Sequence, residues 1–135
     1  MRLPTLERDF WTLRSGEEAH REFPDSFWIP PLEERQRLRR GQAAKLIFEI
    51  ETDLDDGDVG VSVERMWVLV RERQGDTYLG ILDNEPATLN PGDDVYLCPG
   101  AEIPFQAEHV IGIDEPPAEA VEETLNATPT RRWSE

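Results

Sequence analysis

Lysine is almost missing from this chain: Lys45 is the only one among 14 basic residues, which stand against 29 acidic ones. Cysteine is as scarce. The one thiol, Cys98, has no partner for an internal disulfide, so the fold has to rest on its core. It lies in an apolar run and reads as a small hydrophobe, because a nucleophile needs a nearby base that no His or Asn is placed to supply. The two histidines, His20 and His109, are not at metal-ligand spacing from a Cys, His or Asp. His109 reads as a half-exposed strand residue. No apolar stretch is long enough to span a membrane, and no export-type apolar run follows Met1. With a lone cysteine, this leads to the expectation of a cytoplasmic protein. Nucleophile elbows, phosphate-cradling loops and zinc patterns are also missing, so neither catalysis nor a cofactor nor a metal is expected.

Basic charge is missing from one region in particular. Residues 1–40 hold eight basic and eight acidic side chains, whereas residues 41–130 hold four and twenty. The formal net charge is −15. A body so negative repels phosphate backbones, which argues against direct binding to nucleic acid or to an anionic membrane. The expected partner is a basic protein.

The chain has 135 residues, one domain's worth, and can bury about two thirds of its unfolded surface. Residues 5–23 read as helical from the spacing of Leu6, Phe10 and Leu13, and Ser15-Gly16-Glu17-Glu18 matches a capping box opening a second helix to Glu22. Phe27-Trp28-Ile29 reads as an extended apolar segment. Leu32 to Arg40 reads as the clearest helix, with acids in its first turn, Arg37, Arg39 and Arg40 in its last, and Gly41 as a cap. That arginine cluster is first of all a match to the helix dipole.

From Ala44 the period becomes two. Ala44, Leu46, Phe48 and Ile50 alternate with Lys45, Glu49 and Glu51 as a half-wet strand, with Ile47 the exception. Met66 to Val70 is apolar on both faces and reads as the middle of a sheet. Arg73 to Asp76 is a turn, and Thr77 to Leu82 is a strand whose Gly80 marks a bulge or a close approach. Asp83 to Pro86 and Asn90 to Asp93 are turn signals. Short strands are expected at 94–98, 102–105 and 109–113. The fold class is therefore α+β: an antiparallel, strongly curled sheet of five or six strands, a partly open small barrel, with two or three short N-terminal helices. Residues 1–113 form the domain, helical over 5–40 and a β meander over 44–113. Residues 114–135 read as an acidic, proline-containing, partly disordered tail, with a weak acidic helix over Ala118–Leu125 and with Arg131-Arg132-Trp133 as a tip able to dock on an acidic face.

The segment Glu51 to Asp58 invites a calcium reading. Asp53 as position 1 puts Asp55 at 3 and Glu64 at 12 of an EF-hand, but Gly57 and Asp58 stand in inverted order at 5 and 6, and strands flank the loop. A solvated acidic hairpin loop fits better. The candidate interaction surface is Asp53, Asp55, Asp56, Asp58, Glu64, Asp83 and Asn84. An immunity-type inhibitor or a nucleic-acid mimic acting on a basic partner would use such a surface. The competing expectation is a small-molecule site or an enzyme, with a pocket near Trp67 and Gly80 ringed by Glu64, Tyr78 and Asn84.

Several short motifs recur in a recognisable order. Pro24-Asp25-Ser26-Phe27-Trp28-Ile29-Pro30, Glu33-Glu34-Arg35, and Gly41 leading into Lys45-Leu46-Ile47-Phe48-Glu49 come first. Glu64-Arg65-Met66-Trp67-Val68, Tyr78 to Pro86, Pro91 to Val95 and Glu108-His109-Val110 follow. Together, over residues 24–113, they resemble the YegJ-like family of bacterial domains of unknown function. That family has no established activity, so the resemblance implies no functional residues.

Overall fold

Side chains alternating in and out along three long strands set the architecture. The computed structural model describes residues 1–54, 56–88 and 95–134. In chain order the elements are α1 (Leu6–Asp9), β1 (Trp11–Arg14), α2 (Gly16–Glu22), α3 (Leu32–Arg35), β2 (Ala43–Asp53), β3 (Val59–Gln74), β4 (Thr77–Leu82), β5 (Glu102–Gln106), a 3-10 turn (Ala107–His109), β6 (Val110–Asp114) and α4 (Ala118–Asn126). Six strands form one antiparallel sheet in the order β1-β2-β3-β4-β5, with β6 also on β2. It is an α+β fold with a strongly curled sheet, a small partly open barrel, and three short helices near the N-terminus.

The inner face of the sheet holds the main core. Leu46, Phe48 and Ile50 of β2 meet Val68 and Val70 of β3 and Phe105 of β5 there, all buried. Gly80 is the close approach that its position in β4 suggests. A Cβ there would lie 3.0 Å from the Leu69 carbonyl oxygen and 3.2 Å from Phe105 and Val68. The register of β3 also slips between Val70 and Glu72, opposite Gly80, so a bulge and a tight contact coincide.

The sheet is a meander only through β5. Its last strand, β6, returns to β2 and pairs over Ala43–Leu46, while β1 takes the next stretch of the same edge over Ile47–Ile50. One edge of β2 is thus shared end to end by two short strands, and this curls the sheet toward closure. Among the described residues β5 and β6 do not pair; the 3-10 turn bridges them. Residues 95–98 form no strand. The turn signal over 90–93 falls outside the described residues.

Two helical expectations give way for physical reasons. Helix α1 stops at Phe10, whose backbone is left-handed (φ 65°), and Trp11 and Leu13 then alternate inward as a strand against Ile50 and Phe48. The spacing of Leu6, Phe10 and Leu13 suits a helix, but the burial of Trp11 decides for the sheet. Helix α3 ends at Arg35 because side chains take the backbone groups of its next turn. The Tyr78 hydroxyl accepts from Leu38 N (3.3 Å) and donates to the Arg35 carbonyl (2.9 Å). Arg73 donates to the Gln36 carbonyl, and Arg39 N donates to Gln42 Oε1. Leu38 is thereby drawn into the core. At the start of α2 the Ser15 half of the expected capping box is made, with Ser15 Oγ accepting from Glu18 N.

Residues 114–134 pack onto the body rather than trailing from it. Val121 and Leu125 of α4 are buried against Ala43, Leu69 and Ile81 on the outer face of the sheet, with Trp67 beside them. Further on, Thr130 N donates to the Gly100 carbonyl and Glu102 N to the Arg131 carbonyl. Trp133 stands edge-on to Trp11 and Tyr96, its ring nitrogen donates to the Arg2 carbonyl, and the Arg2 guanidinium lies 4.2 Å above its ring. The tip docks on its own chain. Helix α4 falls where the sequence places a weak acidic helix, and apolar partners at 121, 125 and 133 hold against the body a segment whose acidity reads as a loose tail.

Candidate functional site

The hairpin of β2 and β3 juts beyond the rest of the sheet, and its faces follow from the register. Glu49, Glu51 and Asp53 of β2 stand directly opposite Val63, Val61 and Val59 of β3. Directly opposed residues share a face. The outer face of the hairpin is therefore a row of carboxylates beside a row of valines. All three valines are exposed, between 47 and 58%. Between Lys45 and Arg65 the sequence has seven acidic residues and no basic one. Arg14 of β1 reaches Glu49 at 3.4 Å, while Glu51 and Asp53 have no ion-pair partner among the described residues.

The predicted surface residues fall into two groups. Asp53, Asp56 and Asp58 sit at the hairpin tip, exposed to water. The tip satisfies its own backbone: Leu54 N donates to the Asp58 carbonyl, Gly57 N to the Leu54 carbonyl, and Asp58 N to Asp56 Oδ1. Asp55 lies outside the described residues. No group of three or more His, Cys, Asp or Glu among the described residues is placed to hold a metal ion.

Glu64, Asp83 and Asn84 form the second group, roughly 20 Å along β3 from the tip at a strand's rise per residue. Asn84 Oδ1 accepts from Trp67 N (2.5 Å) while Asp83 N donates to the Trp67 carbonyl (3.0 Å). A side chain thus replaces a strand carbonyl and ends the β3–β4 ladder at Trp67. Glu64, on the inner face, accepts from Ala87 N, Thr88 N and the Thr88 hydroxyl. Burial pushes its pKa up, but these hydrogen bonds outweigh it and hold the carboxyl below its ordinary value. Burial raises Asp83. These three residues anchor a loop rather than extend the acidic tip.

Between the two groups lies a feature that sequence reasoning missed. In an antiparallel ladder, successive residues point their N–H and C=O alternately to one neighbour and the other. Trp67 points to β4, and Glu51, whose N–H donates to the Phe10 carbonyl, points away from β3. The register from Asp53/Val59 to Ala43/Leu69 is unbroken, so Val59, Val61, Val63 and Arg65 all turn their backbone groups away from β2. Beta4 pairs with β3 only from Val68 onward. Among the described residues nothing pairs with the backbone of these four. The signal was present as the alternation Val59-Gly60-Val61-Ser62-Val63, which merges easily into the apolar run behind it.

Trp67 and Gly80, expected beside one pocket, face opposite sides of the sheet. Trp67 packs on the outer face beside Val121 and Leu125, whereas Gly80 opens inward onto Val68 and Phe105, which fill the space. Tyr78, on the same inner side, is committed to Arg35 and Leu38.

A buried polar seam closes the barrel instead. Arg35 is 5% exposed and donates to Glu17 (2.7 Å) and to the carbonyls of Pro30 and Ala107 (both 2.8 Å). His109, also buried, accepts at Nδ1 from Gln106 N (2.9 Å). Burial lowers its pKa to about 4, against a smaller upward pull from Glu17. The sequence reading left His109 half-exposed, but the 3-10 turn rotates it inward. A cleft of about 230 Å³ lined by Glu17, Gln36, Asp76 and Glu108 lies over this seam. Arg35 is paired with Glu17 and two carbonyls, and His109 with Gln106 N and Glu108, which is the arrangement of a structural closure.

Among the described residues no helix is long and apolar enough to cross a membrane. Comparison of the chain with protein-family models, with curated proteins and with solved structures found no match.

Proposed function

We propose that this chain is a non-enzymatic, cytoplasmic binding module that engages a basic protein through the outer face of the β2–β3 hairpin. One observation carries the reading: Glu49, Glu51 and Asp53 lie side by side with exposed Val63, Val61 and Val59. An arginine or lysine suits such a surface at both ends. Its aliphatic stem covers a valine, and its charged head reaches the neighbouring carboxylate. The surplus of negative charge speeds the encounter with a basic partner and disfavours acidic ones. An inhibitor of a basic enzyme would work in this way.

Affinity capture followed by zero-length carbodiimide crosslinking tests this. Captured partners should be basic, link through lysines to the hairpin carboxylates, and elute as salt rises. The variant carrying Glu51→Lys, Asp53→Lys, Asp56→Lys and Asp58→Lys should lose capture by about tenfold or more while keeping its circular dichroism. Undiminished capture by that variant would overturn the proposal.

A further inference from the structure

Resting on that reading, we infer that the edge of β3 from Val59 to Arg65, unpaired among the described residues, takes an extended basic peptide as an added strand. Exposed edges with apolar side chains are hazards that folded proteins usually guard with lysine, proline or a bulge. This edge has no lysine, no proline and no bulge from 59 to 65. Arg65 is its one basic residue, and its guanidinium lies over the Phe27 ring at 5.2 Å. Four residues present their N–H and C=O along the edge in register, and Asn84 stops β4 from extending over them. Ala87 and Thr88 are held by the Glu64 side chain, not by this backbone.

The chemistry of the occupant follows from what flanks the edge. A strand added here would place alternate side chains on the outer face beside Val59, Val61 and Val63, with Glu51 and Asp53 one strand further on, roughly 10 Å away. Lysine or arginine at those positions spans that gap. Beta-branched residues suit the intervening position opposite Ser62, while Leu54 already lies over Gly60. A second copy of the chain is a poor occupant. Each copy carries −15, and edge-to-edge pairing would bring two acidic hairpins together. Main-chain bonds supply affinity in strand addition, and alternate side chains supply selectivity.

The test uses the full chain and two capped heptapeptides of equal charge, one alternating lysine with valine and one alternating lysine with proline. Proline fixes φ and removes donors, so the second peptide offers charge without a ladder. The valine peptide should bind about tenfold more tightly than the proline peptide at low salt. In amide exchange followed by NMR, binding should protect Val59, Val61, Val63 and Arg65 and leave Gly60, Ser62 and Glu64 unchanged, since those already face β2. The variant Val63→Pro, which removes one outward N–H, should lose the preference for the valine peptide. Should that variant fail to fold, the alternation of protection in the unmodified chain decides the matter. Equal binding of both peptides, without alternating protection, overturns strand addition and leaves the basic-partner reading standing. Binding of neither overturns both. A dimer in sedimentation whose contact protects the same four amides overturns the choice of occupant.

Discussion

The two ends of β3 send apolar side chains to the same outer face of the sheet, yet only one end is covered. Leu69, with Trp67 beside it, lies under Val121 and Leu125 of α4 and is 2% exposed. Val61, eight pairs along the same register, is 50% exposed. Alternation assigns each residue its face and says nothing about what covers that face. At one end the chain supplies the cover from more than fifty residues downstream. At the other it supplies carboxylates, and burial is left to something else. An exposed apolar face, beside a strand edge that no described residue pairs with, is where an interaction is to be sought.

The largest expected effect breaks the comparison if it fails. Leu69→Ala empties a fully packed position between β3 and α4, and should cost about 2–5 kcal/mol in urea-induced unfolding. A loss below about 1 kcal/mol would mean that α4 does not seal the outer face, and the contrast with Val61 would lose its meaning.

Acid sharpens the comparison next, because the buried seam holds a histidine whose pKa burial shifts. His109 has its folded pKa lowered to about 4 from 6.5, burial being the main cause. The folded state therefore binds fewer protons than the unfolded state between these values, and stability contributed by His109 is present above pH 6.5 and lost as pH falls toward 4. At 1.36 kcal/mol per unit this amounts to about 3 kcal/mol. The charged groups near its ring are Glu108, at 3.3 Å from Nε2, and Glu17, which pairs with Arg35. His109→Gln keeps an acceptor for Gln106 N and should flatten the urea midpoint between pH 7 and 4. Unmodified and variant proteins with parallel midpoints over that range would remove His109 from the account.

Much of the body was legible because its cause is local. The strand Thr77–Leu82, the cap at Ser15 and the close approach at Gly80 each follow from neighbouring residues. Losses came where distant groups intervene. Helix α3 is cut short by Tyr78 and Arg73, residues that lie some forty positions away. Trp133 finds Trp11 across almost the whole chain. The candidate site was half legible: charge marked Asp53, Asp56 and Asp58, but Glu64 and Asn84 serve the loop at 87–88 and the end of a ladder. The alternation from Val59 to Val63 signals a strand, but that nothing pairs with its outer edge among the described residues depends on where distant segments run.

The smallest expected effect is the most discriminating. Val61→Thr keeps a β-branched shape of nearly equal size and good strand propensity, and it replaces an exposed methyl with a hydroxyl that water can solvate. At the covered end a hydroxyl would need a buried partner; at position 61 it needs none. The change in unfolding free energy should stay within about 0.5 kcal/mol. Folding therefore makes little demand on this side chain, and a change in partner binding on Val61→Thr can be read without correction for stability. A cost above about 1 kcal/mol in the isolated chain would show that Val61 is already packed against something in the free protein. The two ends of β3 would then be alike, and the open face would not exist.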